Sequence, residues 1–410
     1  MRINVIMVWS MQLGLLMVAC RSPNGVTPAG PTTSALTRPA TAAVTATAAA
    51  SLPPLVVTVE ASETAPPTTA PTATPAPTAT IEITRPSPGS AERPIQLLFP
   101  PVAAGAVIIQ RAAPLAEALT AATGVQFGVG VVDNEAALVE LLCTAPEDVM
   151  GFLSAAAYTV AHDQCAAQAG LVAVGGDGLT WQMGMLVTRA GDAADLAGLA
   201  GKRWAVADPR SLPNYLYFRA QMAAAGIEPG EMVDAPEETT ALLSLVNGEV
   251  DFTTADFVPP IMPLGGVWVA GETAPEVWRL LGIPPSRSPI GYVIVAGEPE
   301  FGGYRLRDAR ARLFDTTPEI FDQTRILAVS EPIPNDTVVM GSDISPELAR
   351  QILATLAEFA ASDACTTSLC SADLFGWTGL EPAEDSAYDP IRTIKDTLDL
   401  EAADLWAELD

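Results

Sequence analysis

Short apolar runs alternate with longer amphipathic segments from residue 94 onward. The runs predict strands, and the segments, whose apolar residues recur every three to four positions, predict helices. The sequence predicts strands at 94–99, 126–131, 149–153, 183–188, 204–207, 250–253 and 338–341, and helices at about 107–123, 134–142, 215–225, 241–245 and 346–361. This alternation is typical of an α/β fold with a mostly parallel sheet, and such folds bind ligands beyond the carboxyl ends of their strands.

One stretch, KRWAVADPRSLPNYLYFRAQMAAAGIEP at 202–229, combines a strand, a tight turn and a helix. The strand breaks at Asp208-Pro209, and helical spacing then continues to Gly226. The first N–H groups of a helix have no partners within it and lie at the positive end of its dipole, so this turn can hold an anion. Most strand-turn-helix units bind nothing at this point, so the spacing alone does not assign a ligand.

The same stretch resembles a segment of the phosphonate-family substrate-binding proteins of ABC transporters. In that family a strand, Asp-Pro and a Ser/Thr-rich helix start hold the phosphonate group of the ligand. Further stretches resemble the family in the same order: GFLSAAAYTVAHD at 151–163, LLSLVNGEVDFTTAD at 242–256 and PIPNDTVVMGSDISPELARQILATL at 332–356. The resemblance covers most of the chain from residue 94 to about residue 359.

This resemblance implies a two-lobed periplasmic-binding-protein type II fold, with two mixed sheets flanked by helices and a two-segment hinge. Lobe 1 is expected at 94–188 and again at 336–410, and lobe 2 at 189–335. The implied function is binding of a small solute in the cleft between the lobes and its delivery to an ABC permease. The resemblance implies neither catalysis nor a cofactor.

The family's Ser-Thr-Ser-Gly-like run corresponds here to Ser211-Leu212-Pro213-Asn214. Ser211 keeps a hydroxyl, but Leu212 replaces a donor and Pro213 has no N–H. Arg210 can compensate, because a guanidinium can bind two oxyanion oxygens, or it can be a solvated loop arginine. The candidate ligand-binding residues on this side are Arg210, Ser211, Asn214 and Tyr215.

Two further candidates, Ser154 and Tyr158, follow the end of the strand 149–153. Tyr158 matches a cleft-facing tyrosine of the family, whereas Ser154-Ala155 departs from its Gly-Pro turn. A phenol at a strand end can donate a hydrogen bond to an oxyanion while its ring lines an apolar wall. The alternative is a tyrosine packed in the helix interface.

Two acidic residues are predicted on the wall opposite the helix start. Glu238 occupies a position where the family often has histidine, and Asp256 lies at a strand end where relatives place a polar residue. Donors at one end of a cleft and carboxylates at the other suit a phosphonate-like, phosphate-like or zwitterionic solute. The alternative is that both residues share the general acidity of the surface.

Composition restricts the possible partners. The chain has 48 acidic and 21 basic residues, a net charge of −27, which argues against nucleic acid and against contact of the protein surface with anionic lipid. Residues 94–410 are too long for one typical core and predict two lobes. We expect a monomer.

The N-terminus has the pattern of a bacterial lipoprotein signal over residues 1–20, with an early Arg2, an apolar stretch at 3–18, and Ala19 before Cys20. Cys20 is then the lipidated residue; the alternative is an uncleaved membrane anchor. Either way, the rest of the chain is expected outside the cytoplasm and tethered to the membrane. Residues 21–93 are dominated by Pro, Thr and Ala and predict a disordered tether.

The four remaining cysteines allow three pairings in an oxidising compartment. We favour Cys143 with Cys165 and Cys365 with Cys370, because these local pairs flank separate motifs. A metal site is not expected, since the chain has one histidine and no compact ligand cluster.

Two other functions are compatible with this fold. Catalysis is disfavoured because the single His162 has no nucleophile partner in sequence and no phosphate-binding glycine motif is present. A surface receptor or interaction protein that keeps the fold without transport is the more serious alternative. Leu212, Pro213 and the Pro- and Gly-rich segment 258–331 favour it.

Overall fold

The computed structural model describes residues 85–296 and 302–406. The predicted signal peptide, the lipidation at Cys20 and most of the predicted tether lie outside these residues. Residues 85–93, expected to end the tether, instead belong to the folded unit. Arg93 holds this segment to the folded unit. Its Nε atom donates to Asp148 at 2.6 Å, and its carbonyl accepts from the N–H of Gly89 at 2.8 Å.

The seven predicted strands and five predicted helices are all present, but the described residues also contain elements that the pattern did not predict, among them the strands at 168–174 and 324–329 and the helix at 389–398. The strands are β1 (Ile95–Phe99), β2 (Phe127–Val131), β3 (Val149–Leu153), β4 (Gln168–Val174), β5 (Trp181–Arg189), β6 (Trp204–Val206), β7 (Met232–Asp234), β8 (Phe252–Phe257), β9 (Ser286–Arg287), β10 (Val293–Ala296), β11 (Gly303–Leu306), β12 (Thr324–Val329), β13 (Ile333–Pro334), β14 (Thr337–Met340) and β15 (Gly379–Pro382). The α-helices are α1 (Gly105–Thr123), α2 (Glu135–Thr144), α3 (Ala155–Cys165), α4 (Tyr217–Ala224), α5 (Glu238–Val246), α6 (Ile320–Gln323), α7 (Pro346–Ala360), α8 (Asp389–Leu398) and α9 (Ala402–Trp406).

Lobe 1 contains a mixed sheet of order β15-β4-β14-β3-β1-β2. β1 pairs in parallel with β2 and β3, whereas β14 runs antiparallel to β3 and β4. One core joins a face of the sheet to α1 and α7, and another joins the opposite face to α2, α3 and α8. Helices therefore cover both faces, as the alternation of strands and helices predicts.

Lobe 2 contains a second mixed sheet of order β12-β5-β8-β6-β7, and β13 pairs with β5. β6 is parallel to β7 and β8, and β5 is antiparallel to β8 and β12. The predicted fold of two mixed sheets flanked by helices is confirmed. Part of the long segment 258–331 forms a small sheet of order β11-β10-β9 beside this lobe.

Two segments connect the lobes, one between β4 and β5 and one between β12 and β14. Asn335 ties them together, because its Nδ2 atom donates to the carbonyls of Ala173 at 3.1 Å and Leu179 at 2.9 Å. Two connections at one place are the geometry of a hinge. β5 starts at Trp181 and belongs to the second sheet. The first crossing between the lobes therefore lies before residue 181, whereas the sequence predicted the lobe boundary at residue 188.

Both favoured disulfides are present, Cys143–Cys165 and Cys365–Cys370. The first joins the ends of α2 and α3, and the second closes a turn after α7. The first bridge spans 22 residues that include β3, and the second spans 5 residues; both lie within lobe 1. Among residues 85–296 and 302–406, no helix is long and apolar enough to span a bilayer.

Candidate functional site

A cavity of about 590 Å³ lies between the two lobes. Lobe 1 contributes the segments that follow β1 and β3, and lobe 2 contributes the turn and helix start that follow β6. The polar residues that line it are Asn134, Glu135, Ser154, Gln182, Asp208, Arg210, Ser211, Asp336 and Asp404. The cavity therefore lies at the carboxyl ends of strands, where α/β folds bind ligands.

The lobe 2 wall is the predicted helix start. It opens with a π-helical turn, Leu212–Leu216, that continues into α4. Ser211 caps this turn, since its hydroxyl oxygen accepts from the N–H of Asn214 at 3.2 Å. A hydroxyl that accepts one hydrogen bond still has its own proton to donate, so Ser211 can bind an oxyanion in the cavity.

Arg210 lies beside Ser211 on the same wall. Its Nε atom is 3.2 Å from the Oδ1 atom of Asp208, and half of its side chain is exposed. The arginine therefore lines the cavity, where it is partly neutralised by the aspartate of the Asp-Pro turn. Arg210 is therefore a half-exposed loop residue whose side chain also lines the cavity.

A smaller cavity of about 200 Å³ adjoins the first and shares Asp208 and Ser211 with it. Asn214 joins the two predicted carboxylates in this cavity, because its Nδ2 atom donates to Glu238 at 2.8 Å and to Asp256 at 2.9 Å. Arg312 lies 3.4 Å from each carboxylate on the solvent side. The structure thus brings Ser211, Asn214, Glu238 and Asp256 together. The two carboxylates lie beside the helix start in lobe 2, so the prediction that they form the wall opposite it is wrong.

The pKa of Glu238 is raised to about 7, chiefly by burial and then by the neighbouring charge of Asp256, while Arg312 acts in the opposite direction. Its ordinary value is 4.5. A carboxyl whose pKa is higher in the folded state contributes stability that is fully present below pH 4.5 and is lost as the pH rises through about 7.

We therefore expect Glu238→Gln to flatten the dependence of unfolding free energy on pH between pH 4.5 and 8. The amide cannot ionise, so the penalty for burying a charge beside Asp256 disappears. Urea unfolding midpoints at several pH values measure this, with Glu237→Gln on the exposed neighbour as the control. A pH profile identical to that of the wild type in the Glu238→Gln variant would contradict the burial of this charge.

The lobe 1 wall contains Ser154 as predicted, but its polar groups are already engaged. Its hydroxyl donates to Oε2 of Glu135 at 2.8 Å, and its N–H donates to Oε1 at 2.5 Å. The sequence reasoning did not select Glu135 or Asp336, which also line this cavity. Their positions in the sequence could have indicated this location. Glu135 begins a helix directly after β2, and Asp336 ends the second crossing segment.

Tyr158 lies elsewhere and corrects the expectation of a cleft-facing phenol. Its side chain is 1% exposed, its ring centroid is 4.4 Å from that of Tyr388, and its hydroxyl donates to Asp385 at 2.7 Å. Burial, followed by this bond, raises the pKa of Tyr158. The tyrosine therefore packs in the helix interface, which was the alternative interpretation.

Tyr215 also lies outside both cavities. Its ring packs on Trp204 with centroids 5.0 Å apart, and its hydroxyl accepts from Arg219 at 2.9 Å. It supports the helix start from within lobe 2. Of the eight candidate ligand-binding residues, Ser154, Arg210 and Ser211 line the interlobe cavity, and Asn214, Glu238 and Asp256 line the adjoining one.

Solved structures with a similar arrangement include a binding-protein component of an ABC phosphonate transporter from Pseudomonas aeruginosa, 16% identical, covering 73% of this chain and 85% of its own, with a TM-score of 0.37. PhnD1 from Prochlorococcus marinus in complex with methylphosphonate is 12% identical, covering 74% and 98%, with a TM-score of 0.38. A Xanthomonas citri protein bound to chloride ion is 11% identical, covering 74% and 99%, with a TM-score of 0.46. No curated protein matches the sequence.

The family comparison is more direct. The family model for the periplasmic phosphonate substrate-binding protein of ABC transporters matches residues 97–388. The match begins in β1 and ends at the residue before α8, so it covers strands of both sheets and both crossing segments. Because it covers more than half of the chain, this protein belongs to the family of periplasmic substrate-binding proteins of phosphonate ABC transporters.

Proposed function

We propose that the protein is an extracytoplasmic lipoprotein of an ABC importer that binds a small phosphonate-like, phosphate-like or zwitterionic solute in the interlobe cavity. Proteins of this family bind a small solute outside the cytoplasm, work with an ABC permease and are not enzymes. The proposal adds the lipid anchor at Cys20 and the chemical class of the solute. Its partners are the solute, the permease and the membrane, and it acts as a monomer.

One observation carries the proposal. The helix start after Asp208-Pro209 forms one wall of a cavity whose other wall belongs to the opposite lobe. Closure about the two crossing segments would bring both walls onto a solute. Ser211 and Arg210 then hold its anionic group, and the adjoining cavity of Asn214, Glu238 and Asp256 supplies acceptors for a group that carries hydrogen-bond donors.

The lipid anchor is supported by the N-terminal pattern that ends at Cys20. The Pro-, Thr- and Ala-rich residues that follow have the composition of a spacer between the membrane and the first sheet. Such a spacer keeps the solute-binding lobes attached to the membrane that holds the permease.

Titration calorimetry with 2-aminoethylphosphonate, phosphate and an uncharged analogue tests the proposal. We expect heat with the charged ligands and none with the uncharged one. Ser211→Asn and Ser211→Asp both keep an acceptor for the N–H of Asn214, so helix capping is preserved in each. We expect the aspartate variant to bind 2-aminoethylphosphonate about 10- to 100-fold more weakly than the asparagine variant, because it places a negative charge against the ligand.

Two results would contradict this function. The first is no heat with any charged ligand. The second is equal affinity of the two Ser211 variants for the phosphonate, which would place the anion elsewhere.

A surface receptor that has lost transport is the second candidate. Three residues favour it: Pro213 has no N–H to offer a ligand, Leu212 replaces a polar residue, and Leu405 of α9 lines the same cavity. Neighbouring genes for a permease and an ATPase would favour the importer, and their absence would favour the receptor.

A further inference from the structure

Apolar side chains form much of the lobe 1 wall of the interlobe cavity. Val102 contributes to it after β1, and the rings of Phe152 and Phe375 contribute to it from the first sheet and from the segment before β15. Phe375 stacks on Trp377 with ring centroids 4.0 Å apart and lies 5.6 Å from Phe152. These rings belong to the core that joins the first sheet to α1 and α7, so packing holds them in place beside the cavity.

The carboxylates of the same wall bond to the protein itself. Glu135 accepts from the N–H of Ser154 at 2.5 Å and from its hydroxyl at 2.8 Å. Asp336 accepts a hydrogen bond from the side chain of Trp377, and burial raises the pKa of Asp336 to about 6. Because these two acids already have partners, the surface that lobe 1 offers to a solute is chiefly apolar.

Lobe 2 adds apolar surface beside the anion position. Leu212 and Pro213 follow Ser211 directly, and both line the cavity with it. Neither side chain can donate a hydrogen bond, and Pro213 also lacks a backbone N–H. An anionic group held by Ser211 and Arg210 therefore has apolar neighbours on its own side of the cavity.

Helix α9 contributes a further apolar side chain to the cavity. The family match ends at residue 388, before α8 and α9 begin. Leu405 of α9 nevertheless lines the cavity, and it packs against the core that contains the residues of α3. The C-terminal helix thus adds an apolar part of the lining that the family-matched residues do not supply.

The size of the cavity also indicates a solute with an organic substituent. Its volume is about 590 Å³. Ligand pockets of about 300–1,000 Å³ commonly enclose a drug-sized molecule and are lined mainly by apolar and aromatic side chains. The cavity can therefore hold an anionic group together with a substituent of several carbon atoms.

We propose that the solute is an organophosphonate with an alkyl or aryl substituent: its anionic group lies at Ser211 and Arg210, and its substituent lies against Val102, Phe375 and Leu405. This inference rests on the solute-binding function proposed above, and it names the part of the solute that lobe 1 recognises. Leu405 is then a specificity-determining residue, because it contacts the substituent and not the anionic group.

Four phosphonates test the preference by calorimetry on the folded chain. Methylphosphonate has little apolar surface, and phenylphosphonate adds a ring. Propylphosphonate has the shape of 2-aminoethylphosphonate with a methyl group in place of the ammonium. We expect phenylphosphonate to bind about 10- to 100-fold more tightly than methylphosphonate, and propylphosphonate about tenfold more tightly than 2-aminoethylphosphonate, because the cavity removes the apolar substituent from water.

Variants of the apolar lining locate the substituent. Leu405→Asn and Val102→Thr keep a branched side chain but add polar groups, and we expect each to weaken phenylphosphonate about 3- to 10-fold and to leave methylphosphonate unchanged. Leu405→Met stays apolar and should bind both ligands like the wild type. Leu280→Asn is the matched control, since it makes the same exchange at an 87% exposed leucine and should change neither affinity.

Urea unfolding midpoints show whether each variant is folded. Val102 is 46% exposed, so Val102→Thr tests the apolar lining even where Leu405→Asn is unstable.

Failure of this inference differs from failure of the proposed function. If 2-aminoethylphosphonate binds at least as tightly as propylphosphonate, or phenylphosphonate no more tightly than methylphosphonate, the inference is wrong and the solute-binding function stands. The same holds if neither Leu405→Asn nor Val102→Thr weakens phenylphosphonate. If the wild type binds none of the four phosphonates, the proposed function is wrong and the inference is overturned with it.

Discussion

An Arg310→Met variant is expected to lose about 3–5 kcal/mol of unfolding free energy, because it leaves the buried Asp308 without its cation and leaves Glu276 paired with Arg279 alone. Arg310 is fully buried in lobe 2. Its guanidinium donates to both oxygens of Asp308 at 3.0 Å and to Glu276 at 2.8 Å. These acids hold the pKa of Arg310 above its ordinary value despite burial.

Urea unfolding monitored by tryptophan fluorescence measures this loss. Arg350→Met is the control, because Arg350 pairs with Glu347 on the exposed surface of α7 and such pairs contribute roughly 0–1 kcal/mol. A second variant, Arg310→Met combined with Asp308→Asn and Glu276→Gln, should recover part of the stability. Equal unfolding midpoints for the wild type and Arg310→Met would show that the cluster does not hold lobe 2 together.

A Gly184→Ala variant is expected to lose about 1–3 kcal/mol of stability and to bind solute more weakly. Gly184 lies in β5 directly beneath the predicted helix start. A Cβ atom there would come within 2.2 Å of the carbonyl oxygen of Pro213 and 2.6 Å of Oδ1 of Asn214. The nearer of these is backbone, so relief requires the turn that carries Ser211 to move.

Calorimetric titration with 2-aminoethylphosphonate, together with urea unfolding, separates the two effects. Gly105→Ala is a suitable control, because no atom lies within 4 Å of a Cβ placed there and alanine is a better helix former than glycine. We expect that control to keep full affinity. Full affinity in Gly184→Ala as well would mean that the position of the helix start does not set solute binding.

Much of the fold could be predicted because it depends on local patterns. The strands at 149–153 and 94–99 and the helix at 346–361 match β3, β1 and α7 within one residue at each end. Asp208-Pro209 and Ser211 likewise fix where a strand stops and a helix begins, since proline and a capping hydroxyl act over a few residues. The short distance along the chain also favoured the two disulfides that the structure contains.

The candidate site was only partly predictable, and Tyr158 shows why. Its position after β3 suggested a cleft-facing phenol, but α8, more than 200 residues later, supplies Tyr388 and Asp385 as its partners. No residue near Tyr158 in the sequence indicates its contacts with Tyr388 and Asp385. For Glu135 and Asp336 the sequence marks a helix start and the end of a crossing segment, but only the tertiary structure shows that they line one cavity.

The sequence by itself determined the order of the main strands and helices and the helix start at Ser211, whereas the structure places the acidic pair Glu238 and Asp256 beside that helix start. Only the tertiary structure decided which strand ends share a cavity, and that a glutamate occupies the start of α3. The physical reason is the distance along the chain over which each interaction acts. Capping, turn formation and amphipathic spacing act between residues close in sequence, whereas the charge of a cleft is the sum of side chains that packing brings together from distant parts of the chain.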